Sequence, residues 1–443
     1  MFVAGPRPLD LFAQITYQEY LSDPDCLARR ALLNSMISED EYKDLFVYGV
    51  GRPAWPVSVM LRILYVQKEE GWSDRKMAAQ LEDNLRVRFL VGLPAVGDTP
   101  KRSTLIDFRQ RLVACQKETL AFRQQQAFLG ATGLIAAQDS MIIDSTHYLT
   151  AAAQPTVVGL LQHSMRRLLL ALRQWQPGLA ATISERLRLE PLLCKRFNRC
   201  AAGIASRQGR RLWARYYRKA TKLMRLVPAS DDARVQKARE VLTRVMEERG
   251  ADGTDQVPDR LTNAMDTDAR FGAKGQGSRR RVWQGYKHTI VVHEPTDLVL
   301  SLNVMPAQHV DGDALEPTVD ALAPTFSYPA NLHADEAYTS KEHRSSMQRR
   351  KICLTGPRTT KKRRGRVPGG GRVAKRADRA HRSRIEHVHA HITRWRRNRQ
   401  SPYLGVAKAW LQATFATCAA NLVRLLTLWR EHRLDWPGLP TAA

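Results

Sequence analysis

Residues 287–305, KHTIVVHEPTDLVLSLNVM, contain two runs of β-branched and apolar residues on either side of a short polar segment. The first run covers residues 287–293 and the second covers 298–305, with EPTD between them. Two such runs joined by a short polar connection are typical of paired antiparallel strands. The stretch therefore predicts a β-hairpin, and the rest of the fold can be placed around it.

Three shorter apolar runs extend the pattern in both directions along the chain. The first covers residues 141–143 and has Asp144 at its end. The other two cover residues 331–335 and 351–356. Residues 340–350 have helical character, and so does most of 379–428. The order is three strands, a helix, a strand, a helix, a strand and a helix, with a long helical insertion after the first strand. It predicts an α/β fold with a mixed five-stranded sheet flanked by helices.

The first 130 residues differ from this pattern because they are nearly neutral and have only helical periodicity. An apolar 3.6-residue repeat covers residues 57–66, and Ser73 is a suitable N-cap for a second helix. A later helix is expected to begin near Ser103. The helix, turn, helix arrangement suits a DNA-reading motif, and it equally suits plain helical scaffolding.

Length and composition indicate a folded chain of more than one domain. The chain has 443 residues, of which 43% are hydrophobic and 26% are charged, as in ordinary globular proteins. We predict a helical N-terminal domain at 1–130, a sheet domain formed by 134–155 and 262–430, a basic helical insertion at 156–261, and a basic glycine-rich loop at 357–378.

The six cysteines and the most apolar segment exclude several other classes of protein. The cysteines have no CxxC pair, which argues against a disulfide framework or a zinc ribbon. Residues 410–429 include Gln412, Asn421 and Arg424, so they predict a buried helix and not a membrane span. With no secretion pattern at the N-terminus, we expect a cytoplasmic protein without a membrane partner.

The formal net charge of +27 is concentrated in two blocks. Residues 165–226 hold 16 Lys and Arg against two acids, and residues 351–384 hold 13 against one. Such blocks are either solvated faces without a partner or surfaces that bind polyanions. At this density they favour double-stranded DNA, whose phosphates bind Lys and Arg independently of sequence. The candidate DNA contacts in these blocks are Arg210, Arg211, Lys361, Lys362, Arg363 and Arg364.

Three acidic residues stand where the predicted elements would bring them to one cleft. Asp144 follows the first strand, Asp335 ends the fourth, and Glu386 lies on the helix after the fifth. Carboxylates in this arrangement can hold two Mg²⁺ ions for an in-line phosphoryl displacement. An Asp at a strand end can also be a simple turn or cap residue. Asp268 and Asp311 are similar carboxylates near strands, and neither is excluded by residue type. His309 is either a proton shuttle or a polar surface residue.

Several segments together resemble the DDE transposases of bacterial insertion sequences. The segments are IIDSTHYLTAA (142–152), DTDARFGAKGQGSRRRVWQGYKHTIVVHEPTDLVLSLNVMPAQHVDGDAL (266–315), NLHADEAYTS (331–340), RSRIEHVHAHITRW (382–395), the tail from Tyr403 through NLVRLL (421–426), and two N-terminal stretches, 51–84 and 103–112. The resemblance covers most of the chain outside the basic stretch around 165–260.

The resemblance implies a ribonuclease H-like catalytic domain that cuts DNA at inverted-repeat ends and joins the freed 3′-OH to target DNA. It implies Asp144, Asp335 and Glu386 as the catalytic residues and as ligands of Mg²⁺ or Mn²⁺, with two ions per site. It also implies no small-molecule cofactor, and a homodimer on DNA, since two element ends need two active sites.

Three further positions are DNA-binding candidates through the resemblance. Arg382, one helical turn before Glu386, matches the arginine of the family. Two positions depart from the pattern: Arg379 stands where many relatives have Tyr, and Thr393 stands where they have Lys, with Arg394 next to it. Two alternative functions stay open, a catalytically inactive DNA-binding regulator derived from a transposase and a metal-dependent nuclease of the same fold.

Overall fold

The structure is a computed structural model that describes residues 11–46, 53–152, 154–194, 202–254, 259–274, 281–356, 383–395 and 399–442. The predicted loop at 357–378 lies outside the described residues. The helical N-terminal region and the mixed sheet share one continuous apolar core, whereas the insertion has a core of its own.

In the part of the chain that the structure describes, eight α-helices precede the first strand. They are α1 (Leu11–Thr16), α2 (Gln18–Ser22), α3 (Pro24–Ser35), α4 (Val57–Glu69), α5 (Asp74–Asp83), α6 (Leu85–Val91), α7 (Arg102–Ala114) and α8 (Leu120–Ala131). Helix α4 is buried along nearly its whole length, and Ser73 caps α5 through its side chain, which accepts a hydrogen bond from the Lys76 amide. These helices confirm the sequence prediction of a helix, a short turn and a helix at this place.

Seven described strands form one mixed sheet. They are β1 (Met141–Thr150), β2 (Arg270–Lys274), β3 (Arg281–His293), β4 (Val299–Pro306), β5 (Asn331–Ala334), β6 (Cys353–Thr355) and β7 (Gln400–Ser401). Strand β3 pairs antiparallel with β1 and β4, and β5 pairs parallel with β1 and β6. The five predicted strands are therefore present, in the mixed sheet of a ribonuclease H-like fold, and β2 and β7 are short additions to them.

Strand β1 is longer than the sequence indicated. The apolar run at 141–143 predicted a strand ending at Asp144, but β1 continues to Thr150, with pairs from Met141↔His293 to Leu149↔Gly285. The second half of β1 is polar and was not recognised as strand, because its pairing depends on β3, which is distant in sequence. Asp144 therefore lies within β1 and not at its end.

The insertion after β1 is a separate helical layer. Its helices are α9 (Val157–Trp175), α10 (Pro177–Leu187), α11 (Glu190–Leu193), α12 (Arg207–Leu226) and α13 (Ala233–Arg249). Helix α9 packs against the other four, and Trp213 of α12 is fully buried among them. The sequence prediction of a long helical insertion after the first strand is confirmed.

The remaining helices cover the sheet. They are α14 (Leu315–Asp320), α15 (Lys341–Arg349), α16 (383–395, with a π-helical last turn) and α17 (Val406–Arg430). By length and composition alone α17 could cross a membrane, but 78% of its most apolar window is buried. It packs against α4, α8 and β4, as predicted for a core helix. Its Asn421 bonds both backbone groups of Val299 and the side chain of Gln125, which ties β4 to α8.

Candidate active site and its surroundings

Asp144 in β1 and Asp335, which directly follows the neighbouring strand β5, stand at matching positions. The parallel pairing of β1 and β5 runs from Met141↔Leu332 to Ile143↔Ala334, so each Asp is the next residue beyond the last pair. Asp335 begins a short 3₁₀ turn and its side chain accepts a hydrogen bond from the Glu336 amide at 2.9 Å. The register of the sheet therefore places two carboxylates side by side on adjacent strands.

Helix α16 covers β1 at the same point. Its His389 Nε2 lies 3.9 Å from the Asp144 Oδ2 atom, and the His389 side chain is only 9% exposed. Glu386 is exposed and precedes His389 by three residues. Side chains three residues apart share one side of a helix, about 5–6 Å between Cβ atoms. Glu386 is thus carried on the helical turn next to the one that contacts Asp144.

Within the part of the chain that the structure describes, no three His, Cys, Asp or Glu side chains form a cluster that could hold a metal ion. The donor set nevertheless suits one kind of ion. Asp144 and Asp335 are partly exposed and Glu386 is exposed, so solvent reaches each of the three residues. Oxygen ligands of this type are those that Mg²⁺ and Mn²⁺ prefer.

A hydrogen-bonded layer supports the site from the other face of the sheet. Ser145 lies opposite Thr289 in the β1–β3 ladder, and their hydroxyls are 2.6 Å apart. The Ser145 hydroxyl is also 2.5 Å from that of Tyr338, at the end of the turn that Asp335 begins. Burial raises the pKa of Tyr338 well above its usual value, so this hydroxyl stays protonated. These contacts fix the turn after β5 relative to β1.

Two buried histidines lie on the face of Asp144. His288 pairs with Thr146 in the ladder, and Thr146 shares the face of Asp144 because side chains alternate along a strand. Burial lowers the pKa of His288 to about 3 and that of His389 to about 4. Both imidazoles are therefore neutral near pH 7, and the carboxylate of Asp144 borders an uncharged, largely water-free layer.

The structure gives the other candidate carboxylates contacts of their own. Asp268 Oδ2 accepts the Val406 amide at 2.9 Å, at the first residue of α17. Asp311 forms a 2.6 Å ion pair with Lys287. Such contacts hold the α17 terminus and β3 in place. His309 is exposed and lies 3.4 Å from Asp313, a surface position.

The DNA-binding candidates fall into two groups. Arg210 and Arg211 are exposed on α12, and Arg394 is exposed at the end of α16. The other six lie outside the described residues: Lys361, Lys362, Arg363, Arg364, Arg379 and Arg382. Helix α12 carries no acidic residue, and its apolar side is buried against α9. Its exposed cations are Arg207, Arg210, Arg211, Arg215, Arg218, Lys222 and Arg225.

Sequence analysis missed the residues that support the carboxylates. Ser145, Tyr338, His288 and His389 gave no motif of their own, because each acts through a partner far away in the chain. Only one signal was present, the HVH run directly after Glu386, which could have directed attention to His389.

Two family models match the chain. One, described as "Transposase domain (DUF772)", matches residues 18–111, and the other, described as "Transposase DDE domain", matches residues 215–422. The second span includes Asp335 and Glu386 and begins after β1, so Asp144 lies outside it. Searches of curated proteins and of solved structures returned no match.

Proposed function

The chain belongs to the DDE transposases of the insertion-sequence type, and on this premise we propose that it binds terminal inverted repeats and cuts and joins DNA strands with Asp144, Asp335 and Glu386 as its catalytic triad. The observation that carries the proposal is the position of these carboxylates. Two of them continue adjacent parallel strands, and the third lies on the helix that contacts the first.

The three carboxylates would hold two Mg²⁺ or Mn²⁺ ions, which supply activation of an attacking oxygen and stabilisation of the leaving oxygen. The chain itself contributes position and surroundings. The Ser145–Tyr338 contact holds the turn of Asp335, and His389 holds α16 against β1. Burial keeps His288 and His389 neutral near pH 7, so neither imidazole would add a positive charge that repels metal ions bound nearby.

DNA contacts would come from the exposed cations. In the proposal, Arg210 and Arg211 belong to a basic face of α12 that binds phosphates beside the cut, and Arg394 binds closer to it. The cations of the second block, Lys361 to Arg364, and Arg379 and Arg382 near Glu386, would add contacts. Phosphate contacts of this kind give affinity and position without reading the sequence.

Two further statements complete the proposal. Cleavage of both ends of an element needs two active sites, so the DNA-bound form would be a homodimer. The protein would act in the cytoplasm of a bacterium, in association with the nucleoid.

A nicking and strand-transfer assay tests the proposal. The chain is expected to nick supercoiled plasmid only with Mg²⁺ or Mn²⁺, and to join element-end DNA to a target. Asp144→Asn, Asp335→Asn and Glu386→Gln should each reduce nicking at least about 10²-fold while DNA binding is retained. The matched control is Asp313→Asn, which removes an exposed carboxylate from the short helical turn after β4.

Each alternative has a distinct outcome in this assay. Binding of element-end DNA without metal-dependent nicking would mark an inactive DNA-binding derivative. Nicking without any joined product would mark a nuclease of the same fold. Wild-type nicking in a triad variant would contradict the assignment of that carboxylate.

A further inference from the structure

A basic groove lies between the N-terminal helices and the segment that follows α16. It encloses about 1010 Å³, and helices α4, α5 and α7 form one wall. The other wall is lined by Thr393 and Arg394, at the end of α16, and by Arg399, Gln400, Pro402 and Tyr403. We call it the interdomain groove, and its charged lining residues are Lys68, Asp74, Arg75, Arg102, Arg394 and Arg399.

The positive charge of the interdomain groove is not neutralised by the protein. Its one acid, Asp74, already pairs with Arg109 at 2.5 Å and accepts a hydrogen bond from Gln67. Among the described residues, the five lining cations form no ion pair with a carboxylate. Five cations facing one space repel each other, and this cost is recovered only when an anion is present.

Exposure distinguishes these cations from structural ones. Arg75, Arg102, Arg394 and Arg399 are all solvent-exposed, so they are not required to satisfy buried groups. Lys68 is half-buried, and burial together with neighbouring Arg109 lowers its pKa to about 7. An anion bound in the groove would favour the protonated form of Lys68, which adds a charge at the moment of binding.

The groove is close to the proposed active site along the chain. Arg394 follows Glu386 by eight residues, and at about 1.5 Å of rise per helical residue this separates them by about 12 Å. A DNA strand advances about 3.4 Å per base pair, so the same distance corresponds to three or four nucleotides. A DNA strand cut beside Glu386 would reach the groove within that length.

We infer that the interdomain groove binds the phosphate backbone of one DNA strand, about three or four nucleotides from the phosphate that is cut. The inference rests on the proposed function, and it adds a contact that the two basic blocks of the sequence do not include. Because Lys68, Arg75 and Arg102 belong to the N-terminal helices and Arg394 and Arg399 to the catalytic domain, a strand in the groove would connect both to one DNA end.

Salt-dependent binding is the first test. The probe is a short mixed-sequence DNA duplex, and the variants are Arg75→Gln, Arg102→Gln and the two combined. Each lost phosphate contact should reduce the slope of log affinity against log salt concentration by about 0.9. The control is Arg123→Gln, an exposed arginine of α8 outside the groove, which should leave the slope unchanged.

The second test locates the contact. Single phosphates of a cleavable duplex are replaced by neutral methylphosphonates, and the cut position is mapped with wild-type protein. Replacement three or four nucleotides from the cut should weaken binding by wild type and not by Arg394→Gln, because the same contact has already been removed. An equal penalty in both proteins at every position would overturn the inference.

The outcomes separate this inference from the proposed function. In one outcome the variants keep the wild-type salt slope and show the same methylphosphonate penalties as wild type, in a protein that still nicks DNA with Mg²⁺. That result would overturn the inference about the groove and leave the proposed function intact. A wild-type chain that neither binds nor nicks DNA would overturn both. If Arg75→Gln weakened binding of poly-glutamate and left DNA binding unchanged, the groove would be a site for acidic protein and the inference would be wrong.

Discussion

The Nε2 atom of His389 lies 3.9 Å from the Oδ2 atom of Asp144. This contact joins α16, which carries the proposed metal ligand Glu386, to β1, which carries the proposed metal ligand Asp144. Glu386 is on α16 and has no strand pairing to place it, so its position relative to β1 depends on how α16 packs. Buried Ile385, Val388 and His389 form the packed side of this helix. The geometry of the three carboxylates therefore depends on side chains that bind no metal themselves.

Removing His389 should impair cleavage through position. His389→Ala leaves a cavity between α16 and β1, and a displacement of about 1 Å in a catalytic group can cost roughly 10²-fold in rate. We expect cleavage to fall by one to two orders of magnitude, and the Mg²⁺ concentration for half-maximal nicking to rise. DNA binding should stay within about twofold of wild type.

The matched control for this prediction is His387→Ala on the same helix. His387 is exposed, so its removal leaves the packing of α16 intact. A loss of nicking in the His389 variant without any change in its Mg²⁺ requirement would point to general damage to the fold. An unaffected His389 variant would show that α16 is held by other contacts.

Asp266 should be important for stability and not for metal binding. This fully buried carboxylate accepts hydrogen bonds from the hydroxyls of Thr150 and Tyr286 and from the Gly405 amide. Asp266→Ala leaves these donors buried without an acceptor, which should lower the free energy of unfolding by about 2–4 kcal/mol. Chemical denaturation followed by circular dichroism measures the change.

The neighbouring Asp268 provides the comparison. It is partly exposed and accepts hydrogen bonds from the Val406 amide at 2.9 Å and from the Thr267 hydroxyl at 3.5 Å, so Asp268→Asn, which keeps an acceptor oxygen, should cost about 1 kcal/mol or less. Metal-dependent nicking at a temperature where the protein is folded should persist in this variant. Its abolition would return Asp268 to the list of possible metal ligands.

The elements of the fold could largely be predicted from the sequence because their signals are local. The KHTIVVH and LVLSLNVM runs became β3 and β4, and the carboxylate at the end of β5 followed from a short apolar run. Strand β1 was cut short because its polar half, from Ser145, is specified by pairing with Thr289 and its neighbours on β3. Helical and strand periodicity contain no information on such distant partners.

The sequence suggested carboxylates for the candidate site but none of the contacts around them. Residue type and order suggested Asp144, Asp335 and Glu386. The structure adds that Asp268 contacts the Val406 amide and that Asp311 pairs with Lys287, and the choice of the three carboxylates stays a prediction. The interdomain groove was missed for the same reason, since its two walls are more than 200 residues apart in the chain.

The basic insertion divides into structural and exposed arginines, and the two kinds should respond differently to substitution. Arg166 donates hydrogen bonds to the Leu192 and Cys194 carbonyls, whereas Arg211 of α12 is fully exposed. Arg211→Gln should reduce the salt slope of DNA binding by about 0.9 without lowering stability. Arg166→Gln should lower the free energy of unfolding by about 1 kcal/mol, because the Leu192 and Cys194 carbonyls lose their charged donor.

Salt titrations of DNA binding and denaturant unfolding curves for both variants test this division. If Arg211→Gln left the salt slope unchanged, α12 would not be a phosphate-binding face. If Arg166→Gln lowered the salt slope without destabilising the protein, the contacts of Arg166 with the two carbonyls would be less important than its charge.

His288 should make the folded protein sensitive to acid. Burial lowers its pKa from 6.5 to about 3, so between these values the unfolded chain binds a proton that the folded chain does not. Stability therefore rises with pH in this window and is fully present above about pH 6.5. As the pH falls from 6.5 toward 3, His288 alone should remove up to about 1.4 kcal/mol per pH unit.

The measurement is the free energy of unfolding of wild type and His288→Leu from pH 7 to the lowest pH at which both fold. Leucine has no proton to bind, so the difference between the two curves isolates the imidazole from the many carboxylates that titrate in the same range. The curves should converge or cross on acidification, with the variant losing less stability than wild type. Parallel curves would mean that His288 is protonated in the folded protein, which would require a buried anion beside it and would contradict the neutral layer next to Asp144.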